Sequence, residues 1–523
     1  MAALTATTTP TAPVDDLSGS TVLRRGVAGA LALYTGLVLV WVFCVPLFGP
    51  ADERAHVDYA WQVAHGHLPV AGSRFTAEFP QLGQVSYFQH VANHPPLYYA
   101  VVGPVLRLAD ALGHPAVGLY AVRLLNAATT ALTILVGARL AAEVTARAPR
   151  GARIACVIAA AVLTAVNPAL LAASGAIQND PLAILLAALV ALVLARAARH
   201  GLDRGSVALL ALLCTLGMLT RVTFLTVAVV AVAATFALSL WPELRLRLPD
   251  RRALLTASGR AGAIVAAVAV GAGWFLRLNE DRYGDLTGGS AVYHLESVEE
   301  RSLAPGASHG PLGYLLHPYT WWVQLQQLVA PVPSIAQHKL PYLLMTVAIG
   351  AVLAAGAVAL VRRRGAGLLD RPGAVTMLLL AVIFAGSVAK LAVHVSNRGG
   401  ANQRYLLDAL GLWAVGGALL LVALGRLTPH AVALVGALGA TGTLCYAAGI
   451  VLRHADEDGS AVHVLRSSLA HSIVPMAGLL GAVALVLVVA GLVAAVQATE
   501  RATDEAERAS AAKGPRAVEG LIP

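Results

Sequence analysis

The chain is poor in charge. Of its 523 residues 12% are Asp, Glu, Lys or Arg and 58% are hydrophobic, where a soluble domain carries about 25% charged residues. At this length the deficit excludes an ordinary soluble protein and implies an integral membrane protein. Cysteine is scarce too. Cys44, Cys156, Cys214 and Cys445 all lie in apolar runs without metal-ligand spacing, so neither a disulfide nor a thiolate metal site is expected. The 16 histidines contain no HExxH or paired-histidine motif, and no residue is assigned as a metal ligand. The net charge of +9 does not point to nucleic acid, because the basic residues sit in short loops between apolar runs, where they set membrane orientation. No small-residue cleavage site follows the first apolar run, which reads as a retained span.

Twelve runs are long enough, or nearly so, to cross a bilayer: 26–48, 117–143, 154–172, 181–198, 206–220, 222–241, 261–278, 341–361, 373–393, 404–425, 430–452 and 473–497. A perpendicular crossing needs about 20 residues. The expected architecture is an all-α polytopic transmembrane helical bundle. Residues 1–25 form a disordered cytoplasmic N-terminus, 26–498 the membrane domain and 499–523 a cytoplasmic tail. The stretch 95–112 is the awkward one, since Pro104, Arg107 and Asp110 make it a poor free-standing span. With twelve crossings, one side carries 23 Lys/Arg against 12 Asp/Glu and the other 14 against 16. The first side is then cytoplasmic, together with both termini, and 95–112 is expected to lie in the outer interface. The outer side holds a first loop at 50–116, a turn at 173–180, a large loop at 279–340 and the segment 394–405.

Chemistry-bearing side chains collect on that outer side. In 51–65, read as a helix, Asp52, His56 and Tyr59 share one face and Glu53 lies beside them. An acidic pair just outside a membrane can act as a general base or clamp a metal; it can equally complement a helix N-terminus. Asp58 and Glu78 are expected to be solvated. His94, before Pro95 and Pro96, is either a hydrogen-bond donor or ligand, or a cap. Asn179 and Asp180 precede Pro181, where Asp180 fits an N-cap or a substrate or metal role. Arg123, Arg221, Arg398 and Arg404 sit near outer span ends, and a guanidinium at that depth needs a partner. A lipid phosphate suits it; the bland alternative for Arg404 is a salt bridge with Asp408, one turn further on.

The motifs ADERAH after the first span, NHPPLYY, Arg123, QNDP, WFLRLNEDRYGD and NQRYLLDAL, in that order, resemble the GT-C superfamily of membrane glycosyltransferases. That superfamily includes protein O-mannosyltransferases and lipid A aminoarabinose transferases; similar most of all are bacterial multi-spanning proteins of the same layout. The resemblance covers the chain to about residue 425. It implies a donor sugar on a polyprenyl phosphate, hexose or pentose, and an acceptor glycan, lipid or protein of the cell envelope reached from the outer face of the bacterial plasma membrane. It implies a general base at Asp52 or Glu53, inversion at the anomeric carbon, acceptor or metal binding at Asp180, and phosphate binding at Arg404 with Tyr405 beside it, and at Arg123. Some members use a divalent metal and others none, so Mg or Mn stays open. A transporter or flippase of lipid-linked saccharides is the alternative from another class; it expects polar residues through the depth of several spans and inverted repeats.

Overall fold

The computed structural model describes residues 17, 19–50, 52–77, 79, 82, 87–244, 250–295, 302–330, 339–362, 367–458, 467 and 477–512. Glu78, most of residues 1–25, much of 453–472 and the end of the tail lie outside them. The described residues are helical, with no strand; Arg74 and Phe88 form an isolated antiparallel bridge.

The first helix, α1 (Thr21–Cys44), opens on Ser20, whose hydroxyl accepts from the Leu23 amide at 3.2 Å. Helices α2 (Glu53–Ala64) and α3 (Leu97–Ala111) follow, then α4 (Pro115–Val144), which begins on a proline. After α5 (Arg150–Ala165) the chain bends by 58° into α6 (Pro168–Ser174). Next come α7 (Asp180–His200), α8 (Arg204–Thr220), α9 (Leu225–Leu244) and α10 (Arg251–Tyr283). Beyond the short helices of the large loop lie Lys339–Arg362 and Arg371–Ser396. A broken pair, Gln403–Ala409 and Leu412–Ala423, is bent by 76°, and Thr428–Asp458 and Ala477–Ala512 complete the order.

Among the described residues nine helices are long and apolar enough to cross a membrane, and the two bent pairs bring the number to eleven. Arg204–Thr220 is a shorter apolar helix. Each of the twelve expected runs overlaps one of these elements, with 473–476 outside the described residues, and the chain is a multi-pass membrane protein. Helix α3, at 15 residues, is about 22 Å long, too short for a hydrocarbon core of about 30 Å. It buries Tyr98, Tyr99, Val102 and Leu106 and leaves Leu108 exposed.

Close backbone approach fixes the packing of α1 on the final helix. A Cβ on Gly29 would stand 2.7 Å from the Gly491 carbonyl oxygen, and one on Gly36 2.5 Å from that of Ala484. Small residues permit such contacts where burial from water supplies no drive between helices. Ion pairs tie the loops at one end of the bundle: Arg199 to Asp370 and Glu143, Arg150 to Glu505, and Arg426 to Glu507. At the other end α2, α3, the 176–180 turn and the 394–405 segment meet. The Ala71 amide donates to Tyr283 Oη at 3.1 Å and Arg282 Nη1 to the Pro69 carbonyl at 3.1 Å, so the end of α10 closes over the first loop.

Candidate active site

Two neighbouring acids open α2 and go opposite ways. Glu53 is buried at 1% exposure. Its Oε1 accepts from Arg123 Nε at 2.8 Å and the Ile177 amide at 2.9 Å, and its Oε2 from Arg123 Nη2 at 2.6 Å and the Phe48 amide at 2.8 Å. Arg123 gives its other donors to the carbonyls of Val42, Val45 and Pro46 at 2.9, 2.9 and 3.0 Å. A guanidinium has five N–H groups and a carboxylate about four lone-pair sites, so both groups are saturated. This pair staples the C-terminal end of α1 to α2 and α4. Glu53 has no lone pair left for a substrate proton, and Arg123 no N–H left for a phosphate.

Asp52 is the N-cap of α2 and caps nothing; its φ of 67° is left-handed. The carboxylate therefore turns out of the helix into a cleft, 23% exposed. Its Oδ1 lies 3.1 Å from His90 Nε2 and its Oδ2 accepts from Arg404 Nη2. Burial raises the carboxyl's pKa, but Arg404 and His90 outweigh it and hold the group well below the usual carboxylate range.

Arg404 sits on the 3-10 helix Gln403–Ala409. Its Nη1 reaches Gln178 Oε1 at 3.5 Å, Nη2 reaches Tyr405 Oη at 3.4 Å, and its buried Nε has no partner. Arg221, in the extended break after α8, pairs with Asp180, and its Nε is also an orphan. Both guanidiniums face the Tyr405 ring, at 5.2 Å for Arg404 and 5.4 Å for Arg221. Tyr405 thus joins two acid–arginine pairs. Asp180 is the first residue of α7; the cap position falls to Asn179, which makes no side-chain cap bond and instead donates to the Thr220 carbonyl at 2.9 Å. The turn before it is fixed by Asn126, whose Nδ2 bonds the Ala176 and Gln178 carbonyls at 2.7 and 3.1 Å.

Under the cleft lies an aromatic floor. Tyr59 and Tyr99 stack with ring centres 3.7 Å apart, His56 Nδ1 meets Tyr99 Oη at 2.8 Å, and the His56 and His94 rings are parallel at 6.5 Å. Burial drives the His56 pKa down to about 3, and burial with Arg221 drives that of His94 well below its ordinary value, so both are neutral. His94 Nδ1 is buried without a partner. The structure thus brings Asp52, His56, His94, Asn179, Asp180, Arg221, Arg404 and Tyr405 to one region. Arg398 is exposed, at a left-handed φ of 63°, in the turn before Arg404.

Two expectations are corrected. Asp58 is not solvated: it is fully buried and accepts from the Thr76 and Ala77 amides at 2.6 and 3.0 Å and from Gln89 and Gln62 side chains at 2.8 and 2.9 Å. Asp408 pairs with Lys390 at 2.5 Å and not with Arg404. In a 3-10 turn residues three apart, not four, are aligned, so the helical spacing used for 404 and 408 does not apply. His90 and Lys390 were not singled out by the sequence; their partners, Asp52 and Asp408, lie 38 and 18 residues away on other elements.

Among the described residues no group of three or more His, Cys, Asp or Glu could hold a metal ion. Asp52 and Asp180 each already face a guanidinium, a donor set that does not fit a divalent cation as it stands.

No family model matches the chain, and no curated protein matches it. Among solved structures it is similar to ArnT from Cupriavidus metallidurans bound to undecaprenyl phosphate, at 14% identity and a TM-score of 0.44, over 94% of this chain and 80% of that one. The apo form of the same protein gives 0.45 over 92% and 78%. The archaeal oligosaccharyltransferase AglB from Archaeoglobus fulgidus, in complex with an inhibitory peptide and a dolichol-phosphate, gives 13% identity and a TM-score of 0.41 over 94% of this chain, which spans 56% of that chain.

Proposed function

We propose that the chain is an integral-membrane glycosyltransferase of the GT-C type that moves a sugar from a polyprenyl-phosphate donor to an envelope acceptor on the extracytoplasmic face. The observation that carries this reading is one juxtaposition. The Asp52–Arg404 pair stands in a partly open cleft, and the segment bearing Arg404 also lines an apolar cavity of about 450 Å³ with Gln403, Leu406, Leu410, Trp413, Met377 and Phe384 on its walls. A carboxylate, a guanidinium and an apolar recess side by side suit an amphiphile with an anionic head.

In this reading Asp52, and not Glu53, is the general base. It takes the proton of the acceptor hydroxyl from hydrogen-bond range, roughly 2.6–3.2 Å. The acceptor oxygen attacks the anomeric carbon from the face opposite the phosphate, which inverts it. Charge growing on the departing phosphate is met by Arg404, with Arg221 beyond the Tyr405 ring. Asn179 and Asp180 line the same region and, with His56 and His94, shape where the acceptor and sugar rest. With the site end outside, both termini are cytoplasmic and the membrane is the bacterial plasma membrane.

The test is transfer from a panel of radiolabelled polyprenyl-phosphate sugars by the purified full chain in lipid. Asp52→Asn is expected to lower the rate by about 10²- to 10⁴-fold, the usual worth of a positioned base, with the protein still folded. Undiminished transfer by Asp52→Asn would remove the base from the reading.

A further inference from the structure

His90 is built into place. It ends a clip in which the Gly72 amide donates to the Gln89 carbonyl and the Gln89 amide to the Ser73 carbonyl, both at 2.8 Å. The fully buried Gln89 side chain donates to Asp58 and to the Ala55 carbonyl at 2.8 and 3.0 Å, which pins the clip to α2. The ring that follows touches two acceptors: Nε2 lies 3.1 Å from Asp52 Oδ1 and Nδ1 3.2 Å from the Phe88 carbonyl oxygen. Two acceptors require two N–H donors. The ring is therefore an imidazolium in this pair, with no lone pair free, and cannot itself be the base.

Arg404 meets the other oxygen of the same carboxylate, and the proposed function gives Arg404 a second task at the donor's phosphate. One guanidinium shared between two anions poses a problem. When it turns to the phosphate, Asp52, with only 23% of its side chain exposed, is left without its cation, and an unpaired, mostly buried carboxylate is costly. Resting on the donor assignment above, we infer that His90 is a positioning residue that keeps hold of Asp52 Oδ1 while Arg404 passes to the phosphate, leaving Oδ2 bare and aimed at the acceptor. In the transfer step the hydroxyl proton goes to Oδ2 and the acceptor oxygen bonds the anomeric carbon. The carbon–oxygen bond to the phosphate breaks, and its electron pair leaves on the phosphate that Arg404 holds.

The experiment is equilibrium binding of undecaprenyl phosphate, as the probe, to the full chain in nanodiscs. His90→Leu is expected to weaken binding about tenfold, because release of Arg404 then strands Asp52; this is a coupling within the range found for groups in contact. His90→Gln, which still donates one hydrogen bond, recovers most of the affinity. Asp52→Asn binds more tightly than wild type, and adding His90→Leu to it changes nothing, since no charge remains to strand. A merely structural histidine would weaken binding equally in both backgrounds, and that additivity, or unchanged binding in His90→Leu, would overturn the inference. Equal binding by wild type and Arg404→Gln would instead bring down the donor assignment, and this inference with it.

Discussion

Residues 52 and 53 begin two ion pairs of the same chemistry with different ends. Glu53 and Arg123 are closed in on all sides, 1% and 0% exposed, with every hydrogen-bonding site filled. Asp52 and Arg404 are about one-fifth exposed, the carboxylate stands on left-handed backbone, and the guanidinium keeps an orphan Nε. Saturation is what separates the two pairs. A group that must release its partner to meet a substrate cannot have every valence spoken for, and strained backbone persists where the surroundings over-determine it.

The sharpest break between them is in folding. Glu53→Gln leaves Arg123 buried with half its partnership gone, and losing one member of a buried pair costs about 3–5 kcal/mol. Asp52→Asn touches a pair about one-fifth exposed, whose guanidinium already keeps an unpartnered Nε, and costs less than the fully closed pair. Thermal unfolding in detergent, followed by size-exclusion profile, is expected to show a large loss for Glu53→Gln and a small one for Asp52→Asn. Equal losses would erase the distinction.

Asp58 sharpens the comparison from a third position. It is buried like Glu53, yet the donors that meet it are the amides of Thr76 and Ala77, the Thr76 hydroxyl and the amides of two glutamines. Its task is to hold the clip that carries His90. Asp58→Asn keeps the volume but turns one acceptor into a donor facing other donors, which costs about 1–3 kcal/mol. The expected result is faster hydrogen exchange at the Thr76 and Ala77 amides with the membrane helices unaffected. Unchanged exchange would free the clip from Asp58.

The sequence made the membrane frame legible because hydropathy is one-dimensional: each of the twelve runs could be read without knowing its neighbours, and among the described residues each overlaps a helix or a bent pair. The stretch ADERAH pointed to the candidate site region for a similar reason, since acids are conspicuous in so apolar a chain. Choosing between Asp52 and Glu53 was not legible. It depends on Arg123, 70 residues away, and Arg404, 352 residues away, and on a left-handed φ at Asp52 that places adjacent side chains in different surroundings. Arg123 looked like Arg404 because depth at a span end can be read from sequence and saturation cannot. Asp58 looked solvated because polar loop residues usually are, and its partners come from a clip that is neither helix nor sheet.

Backbone strain offers the finest test of the difference. At φ 67° an ordinary L-residue suffers contact between Cβ and the following carbonyl, worth roughly 1–2 kcal/mol, which Asp and Asn ease with a short polar side chain. Asp52→Ala and Asp52→Asn both remove the negative charge, so Arg404 and His90 lose the same ionic partner in each. Alanine also imposes the left-handed penalty, and it is expected to unfold at lower temperature than asparagine by the equivalent of about 1 kcal/mol. At the helical position 53 that backbone term is missing, and the order there is set by packing around Arg123. If Asp52→Ala matches Asp52→Asn in stability, the backbone at residue 52 relaxes without its carboxylate. The left-handed turn would then be held by the Arg404 and His90 contacts and not by the chain around it, and the open pair would be shaping its own backbone.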